Sequence, residues 1–107
     1  MSSMAHSEVQ KISEMVDYQD GTIVSKILIN QDKGTVTIFA FDKDQSLSEH
    51  TTPFDALLQV VDGEVEIAIS GKNHRLTNNE MILMPANVPH AVKAVNKFKM
   101  LLIMIKS

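Results

Sequence analysis

Alternation of apolar and polar residues with a period of two is the feature that most constrains the fold of this chain. The segments TVTIFAF (35–41), VEIAI (65–69) and KFKMLLIMI (97–105) each carry a continuous apolar face. Because neighbouring side chains of a strand point to opposite faces, this pattern predicts strands with one buried side. From Met100 onward the last segment is apolar on both faces, which predicts that its second face is covered as well.

Short turn sequences separate the strand-like segments. They are Gln31-Asp32-Lys33-Gly34, Asp62-Gly63, Ser70-Gly71-Lys72-Asn73 and Asn78-Asn79. Asp-Gly between two alternating runs is a strong hairpin signal, because both residues tolerate the positive φ that tight hairpin turns need. Many short strands at spacings of about ten residues predict an all-β barrel or sandwich. For residues 8–18 a helix, a short strand and an irregular arm remain open.

Composition excludes several classes of function. The 107 residues suffice for one domain with a single core, which we divide into an arm or edge segment (1–20) and a barrel (21–107). The absence of cysteine excludes disulfides, iron–sulfur clusters and thiol catalysis, and it is compatible with the reducing cytoplasm in which we expect the protein. No apolar run is long enough to cross a bilayer, and the N-terminal residues lack the pattern of a signal peptide. With a formal net charge of −3 we expect neither nucleic acid nor a membrane as a partner.

Two stretches carry the residues of chemical interest. They are LSEHTTPFDALLQVVDGEVEI (47–67), which contains His50, and NEMILMPANVPHAVKA (79–94), which contains His90. Together they resemble the two sequence motifs of the cupins, and the resemblance extends over residues 35–105. It implies an all-β double-stranded β-helix, a jelly-roll-like cupin barrel, preceded here by a short N-terminal arm.

The resemblance also implies a metal site, from which this sequence departs. In cupins the first motif supplies two histidines and a glutamate, and the second motif supplies a third histidine. By position, His50 matches the first histidine and His90 the last, whereas Thr52 and Ala56 stand in place of the other two ligands. In the second motif Asn79 replaces a glycine, as does Asn87, and asparagine tolerates the left-handed backbone conformation that glycine provides there.

A divalent metal (Fe, Zn, Mn or Ni) on His50 and His90 requires a further ligand, for which Asp55 is the candidate. Asp55 is the neighbour of Ala56, and adjacent side chains of a regular strand point to opposite faces. Asp55 therefore points away from the pocket unless a bulge near Pro53 reverses its direction.

The replacements leave a pocket that is mostly apolar with a few polar groups, as small-molecule sites are. We expect it to be lined by His50, Thr52, Phe54, Ala56, Leu58, Met84 and His90, with Ile38, Ala40 and Ile82 added by facing strands. The sequence thus predicts a small single-domain cupin that binds a small molecule in its barrel. The alternative is an enzyme of the cupin type, such as a dioxygenase, an isomerase or a sugar-processing enzyme. His50 and His90 are then its catalytic candidates, either with a metal or as acid and base.

Self-association is the remaining expectation. The second apolar face of the last strand (Leu101, Ile103 and Ile105) needs cover, as does the segment Ile23–Ile29. A symmetric homodimer provides that cover most simply.

Overall fold

The computed structural model describes residues 5–106, so residues 1–4 of the predicted arm and residue 107 of the predicted barrel lie outside the described residues. Within 5–106 the chain forms one short 3-10 helix, Ile12–Glu14, followed by strands. The strands are β1 Ile23–Gln31, β2 Gly34–Phe41, β3 Ser46–His50, β4 Asp55–Asp62, β5 Val65–Ile69, β6 Lys72–Leu76, β7 Met81–Met84, β8 His90–Ala94 and β9 Phe98–Ile105. No helix of the described part is long and apolar enough to span a membrane.

The strands form two antiparallel sheets. The five-stranded sheet has the order β1-β2-β9-β4-β7, and the four-stranded sheet has the order β3-β8-β5-β6. Apart from the neighbouring pairs β1–β2 and β5–β6, successive strands pass from one sheet to the other, as in a jelly roll. The prediction of an all-β double-stranded β-helix is confirmed.

The main core lies between the inner faces of the two sheets. Val65 and Ile67 of the four-stranded sheet and Leu58, Phe98 and Met100 of the five-stranded sheet belong to one buried cluster. Burial of each such side chain stabilises the fold by about 1.5–3 kcal/mol. The faces predicted for 65–69 and 97–105 are therefore confirmed, because alternation along each strand puts these residues on one side.

Positive backbone φ angles occur at the predicted turn residues. Gly63 has φ +91° in the turn that leads from β4 in one sheet to β5 in the other, Asn79 has φ +69° and Asn87 has φ +64°. Asparagine thus fulfils the backbone role that we expected of it in place of glycine.

The outer face of the five-stranded sheet is covered at one end by the N-terminal arm, which we define as residues 5–20. Val16 of the arm forms a second buried cluster with Leu28, Ile38 and Ala40. The expectation that Ile38 and Ala40 line the pocket is therefore wrong, because the alternation of β2 gives them the face under the arm. In 8–18 the structure is an irregular arm with a single 3-10 turn, so the helical alternative is wrong too.

Polar contacts fix the arm to the sheet. The Lys99 ammonium donates a hydrogen bond to the Ser13 carbonyl oxygen (2.5 Å), and the Tyr18 hydroxyl donates one to Asp62 (2.8 Å). Lys99 also lies 4.9 Å from the centre of the Tyr18 ring, and it is only 8% exposed. A lysine this deeply buried requires such partners, because an unpaired buried charge is strongly destabilising.

Candidate functional site

His50 and His90 lie side by side on neighbouring strands of the four-stranded sheet. They are direct Cα partners in the β3–β8 ladder, and their ring centres are 4.4 Å apart with an interplanar angle of 67°. The ladder pairs Leu47 with Val92 before it pairs His50 with His90, so β3 contains one extra residue. This bulge puts His50 on the same face of β3 as Leu47, although the two are three residues apart. His50 is exposed, whereas His90 is buried.

Both imidazole rings are held by backbone carbonyl groups. The Nδ1 atom of His50 lies 2.7 Å from the carbonyl oxygen of Ser48, and the Nδ1 atom of His90 lies 3.2 Å from that of Val88. A carbonyl oxygen only accepts hydrogen bonds, so each neutral ring carries its proton on Nδ1. The Nε2 atoms are then unprotonated acceptors that remain available to a ligand.

The strand registers place apolar side chains at the same end of the barrel as the two histidines. At this end of the five-stranded sheet, four inner-face residues are successive Cα partners: Thr35, Met104, Ala56 and Met84. In the four-stranded sheet, Ile69 is the partner of His90. We call this end of the barrel the barrel mouth, which comprises His50, His90, Ile69, Thr35, Met104, Ala56 and Met84. The barrel mouth combines two nitrogen acceptors with the apolar side chains of alanine, isoleucine and methionine. The methionine side chains are flexible and adapt to the shape of a ligand.

Thr35 is one of three residues of the barrel mouth that are absent from the predicted pocket, with Ile69 and Met104. Its hydroxyl oxygen is buried and has no hydrogen-bond partner among the described residues. A buried hydroxyl without a partner is costly, and such groups are rare in folded proteins. The alternation of TVTIFAF was the available signal, because it puts Thr35 on the same face as Phe39 and Phe41.

The other predicted pocket residues occupy different environments. Leu58 lies fully buried in the main core, one row deeper than Ala56. Thr52 is half-buried, and its hydroxyl donates to the carbonyl oxygen of Phe54 (3.0 Å), which closes the loop between β3 and β4. Phe54 is half-buried at the rim, with the Lys106 ammonium 5.5 Å from its ring centre.

Comparison with known proteins identifies the family of this barrel. The model of the cupin domain matches residues 37–106, which is more than half of the chain. The chain belongs to the cupin family.

Solved structures give the same result over nearly the whole length of this cupin. A conserved protein of unknown function from Streptococcus pyogenes, SPY1581, is 32% identical over 97% of this chain and 91% of its own, with a TM-score of 0.92. A cupin 2 conserved barrel domain protein from Leptotrichia buccalis is 44% identical over 88% of this chain, with a TM-score of 0.85, and the match spans 46% of its length. A cupin superfamily protein from Desulfitobacterium hafniense shares the fold at 22% identity, with a TM-score of 0.91 over 97% of this chain and 95% of that one. A search of curated proteins finds no match.

The donor atoms of this cupin fall short of a three-ligand metal site. Asp55 is exposed, and its carboxylate accepts a hydrogen bond from the backbone N–H of Ala86 (2.9 Å). In the β4–β9 ladder Asp55 pairs with Ile105, whereas its neighbour Ala56 is buried on the inner face. No three His, Cys, Asp or Glu side chains within residues 5–106 are grouped closely enough to hold a metal ion. Two imidazoles alone do not match the ligand sets that zinc or non-haem iron commonly take, so we derive no step through a metal.

Proposed function

We propose that this cupin binds a small molecule at the barrel mouth, and that the ligand has an apolar body and at least one hydroxyl group. The observation that carries the proposal is the pair of adjacent imidazoles whose Nδ1 atoms each lie within hydrogen-bond distance of a backbone carbonyl oxygen. This arrangement offers two unprotonated Nε2 atoms at one point, and unprotonated nitrogen accepts hydrogen bonds from O–H groups.

The surroundings of the histidines support the apolar part of the ligand. Ala56 and Met84 are direct partners in the β4–β7 ladder, and Met104 is the other partner of Ala56. Replacement of a cupin glutamate by alanine at position 56 removes a charge from this wall.

Binding of phenol compared with anisole tests this proposal, because the two molecules share a ring and only phenol has an O–H group. The measurement is the NMR shift of methionine methyl groups labelled with carbon-13. We expect phenol to shift the Met84 and Met104 signals and to bind about tenfold more tightly than anisole, since one hydrogen bond to an acceptor is worth roughly 1 kcal/mol or more.

Substitution of the two histidines provides the second part of the test. In the double variant His50→Ala/His90→Ala we expect the preference for phenol over anisole to disappear, whereas His6→Ala, at an exposed position of the arm, leaves it unchanged. Equal binding of both compounds to the unmodified protein, or an unchanged preference in the double variant, would contradict the proposal.

Acid–base catalysis at the same two residues is the second candidate function. The fixed Nδ1–H tautomer favours it, because each Nε2 atom is then ready to take a proton from a bound molecule. A substrate with an acidic C–H group next to a carbonyl tests it by exchange of that hydrogen for deuterium in D2O. Exchange that is catalysed by the protein and lost in His90→Gln supports catalysis, and exchange at the rate of buffer alone argues for binding only.

A further inference from the structure

The row of strand partners that contains the two histidines continues to a lysine. His90 is the Cα partner of Ile69 on β5, and Ile69 is the partner of Lys72 on β6. Partners in a ladder share one face of the sheet, and Ile69 packs against the main core. Lys72 therefore lies on the inner-face side of β6, at the same end of the barrel as His90. It is exposed, because it is the first residue of an edge strand.

A second lysine lies at the barrel mouth on the opposite sheet. Lys106 follows the end of β9, two residues after Met104, and its ammonium group lies 5.5 Å from the centre of the Phe54 ring at the rim. Its backbone N–H donates to the carbonyl oxygen of Lys33 (2.7 Å), which fixes the chain at this point. The mouth is thus flanked by one lysine on each sheet.

The carboxylates at this end of the barrel do not neutralise the two lysines. Asp55 is exposed, and its carboxylate accepts a hydrogen bond from the backbone N–H of Ala86. Glu49 is in the β3 bulge opposite Ala91, which belongs to the outer face because its neighbours on β8 are buried. The β1–β2 turn carries one residue of each sign, Asp32-Lys33. Within residues 5–106 neither of the two lysines forms an ion pair with a carboxylate, so this end is locally positive although the chain has a net charge of −3.

The donors at the mouth indicate which kind of anion fits. Phosphate groups are commonly held by several free backbone N–H groups. In the loops around the mouth such groups already donate within the protein, as those of Ser70, Ala86 and Asn87 do. An anion is held here instead by ammonium groups on flexible stems, which act as mobile point charges and suit a carboxylate.

From these features we infer that the molecule bound at the barrel mouth is a hydroxy acid with an apolar body. Its hydroxyl group donates to an imidazole Nε2 atom, and its carboxylate lies against the ammonium groups of Lys72 and Lys106. This inference rests on the proposed binding at the barrel mouth and adds the charge of the ligand to it.

The spacing of the strands fits such a ligand. Neighbouring strands are about 4.8 Å apart, so the Cα atoms of Lys72 and His90, two strands from each other, are separated by roughly 10 Å. The flexible stem of Lys72 extends over Ile69 into this interval. A ligand with its hydroxyl and its carboxylate at opposite ends of an apolar ring therefore contacts both groups at once.

Binding of 4-hydroxybenzoate compared with 4-hydroxybenzamide tests the inference, because the two molecules share their shape and their hydroxyl group and differ in charge. The readout is the NMR shift of the carbon-13 methyl groups of Met84 and Met104. We expect 4-hydroxybenzoate to bind about fivefold more tightly, since an exposed charge pair contributes a factor of roughly 1.5 to 5. In about 1 M salt, where the Debye length is about 3 Å, this preference should largely disappear.

Substitution of the two lysines assigns the preference to them. In Lys72→Met/Lys106→Met we expect equal binding of the two compounds, because methionine keeps an apolar stem and removes the charge. Phenol should bind this variant as tightly as the unmodified protein, which shows that the mouth is intact. The matched variant Lys43→Met/Lys93→Met loses the same net charge at exposed positions outside the mouth and should keep the preference.

Two results would overturn the inference. One is equal binding of 4-hydroxybenzoate and 4-hydroxybenzamide to the unmodified protein, and the other is a preference that survives in Lys72→Met/Lys106→Met. Neither result affects the comparison of phenol with anisole, which contains no carboxylate, so the inferred charge of the ligand and the proposed function fail separately.

Discussion

At the scale of single residues, Gly63 is the position where backbone geometry leaves no choice of side chain. Its φ of +91° lies in the left-handed region, and a Cβ atom there would collide with the carbonyl oxygen of Lys97 and lie 2.7 Å from Phe98. Contacts this short require the turn between β4 and β5 to move away from the start of β9.

We predict that Gly63→Ala destabilises the fold by about 2–4 kcal/mol, because backbone strain and a steric clash add together. Gly71→Ala is the matched control, since Gly71 has φ +79° but no atom within 4 Å of the position that a Cβ atom would take. The control should cost only about 1 kcal/mol. Urea denaturation of both variants measures the difference, and equal losses would mean that the contact with Lys97 is unimportant.

Sequence reasoning reached the two histidines of the barrel mouth but not their geometry. His50 and His90 were found by their place in the motifs, whereas their direct pairing depends on the bulge in β3, for which the sequence has no signal. Alternation in β2 showed two faces without showing which one is inside. The sequence therefore predicts Ile38 in the pocket and omits Thr35, since only the arm decides that Ile38 faces outward.

At the scale of elements, the arm is held by a small network in which Tyr18 is central. Its hydroxyl is bonded to Asp62, and its ring lies beside Lys99. Burial raises the pKa of Tyr18 well above its ordinary value of 10, and the hydrogen bond to the negative Asp62 adds to the increase. The folded protein therefore keeps this proton at a pH at which the unfolded chain releases it.

The raised pKa predicts the direction of a pH effect on stability. The contribution of Tyr18 is fully present below pH 10 and is lost as the pH rises above that value, since only the unfolded state then gains from deprotonation. We expect Tyr18→Phe to be less stable than the unmodified protein at neutral pH and to show a smaller loss of stability on the alkaline side. Thermal unfolding between pH 7 and 11 measures this difference, and parallel pH curves for the two proteins would contradict it.

The element boundaries show what local pattern does and does not determine. Alternation and turn residues predict a turn at Asp62-Gly63, and the structure has one there. The predicted hairpin is wrong, because β4 and β5 belong to different sheets and only contacts distant in sequence decide their partners. The arm has no such periodicity, and its path depends on contacts with residues distant in sequence. The bond from Lys99 to Ser13 spans 86 positions, so no local pattern indicates it.

At the scale of the whole molecule, the two sheets differ in how their outer faces meet their surroundings. The five-stranded sheet is apolar on both sides, and the exposed Leu83 and Ile105 remain after the arm has covered its share. The outer face of the four-stranded sheet has polar residues instead, with Arg75 between Glu64 and Glu66 at 3.4 and 3.8 Å. The two apolar faces of the last strand predict an apolar outer face for its own sheet, since a solvated face would carry polar residues.

Ligand binding at the barrel mouth depends on which nitrogen atom of each imidazole ring carries the proton. Nitrogen-15 NMR of the histidine rings at mildly alkaline pH measures this directly, with the exposed His6 as an internal reference for a ring that is free to change tautomer. We predict that His50 and His90 are both protonated on Nδ1, so that each offers a bare Nε2 atom to the mouth. A proton on Nε2 of either ring would contradict the account, because that ring would donate a hydrogen bond where the proposed ligand needs an acceptor.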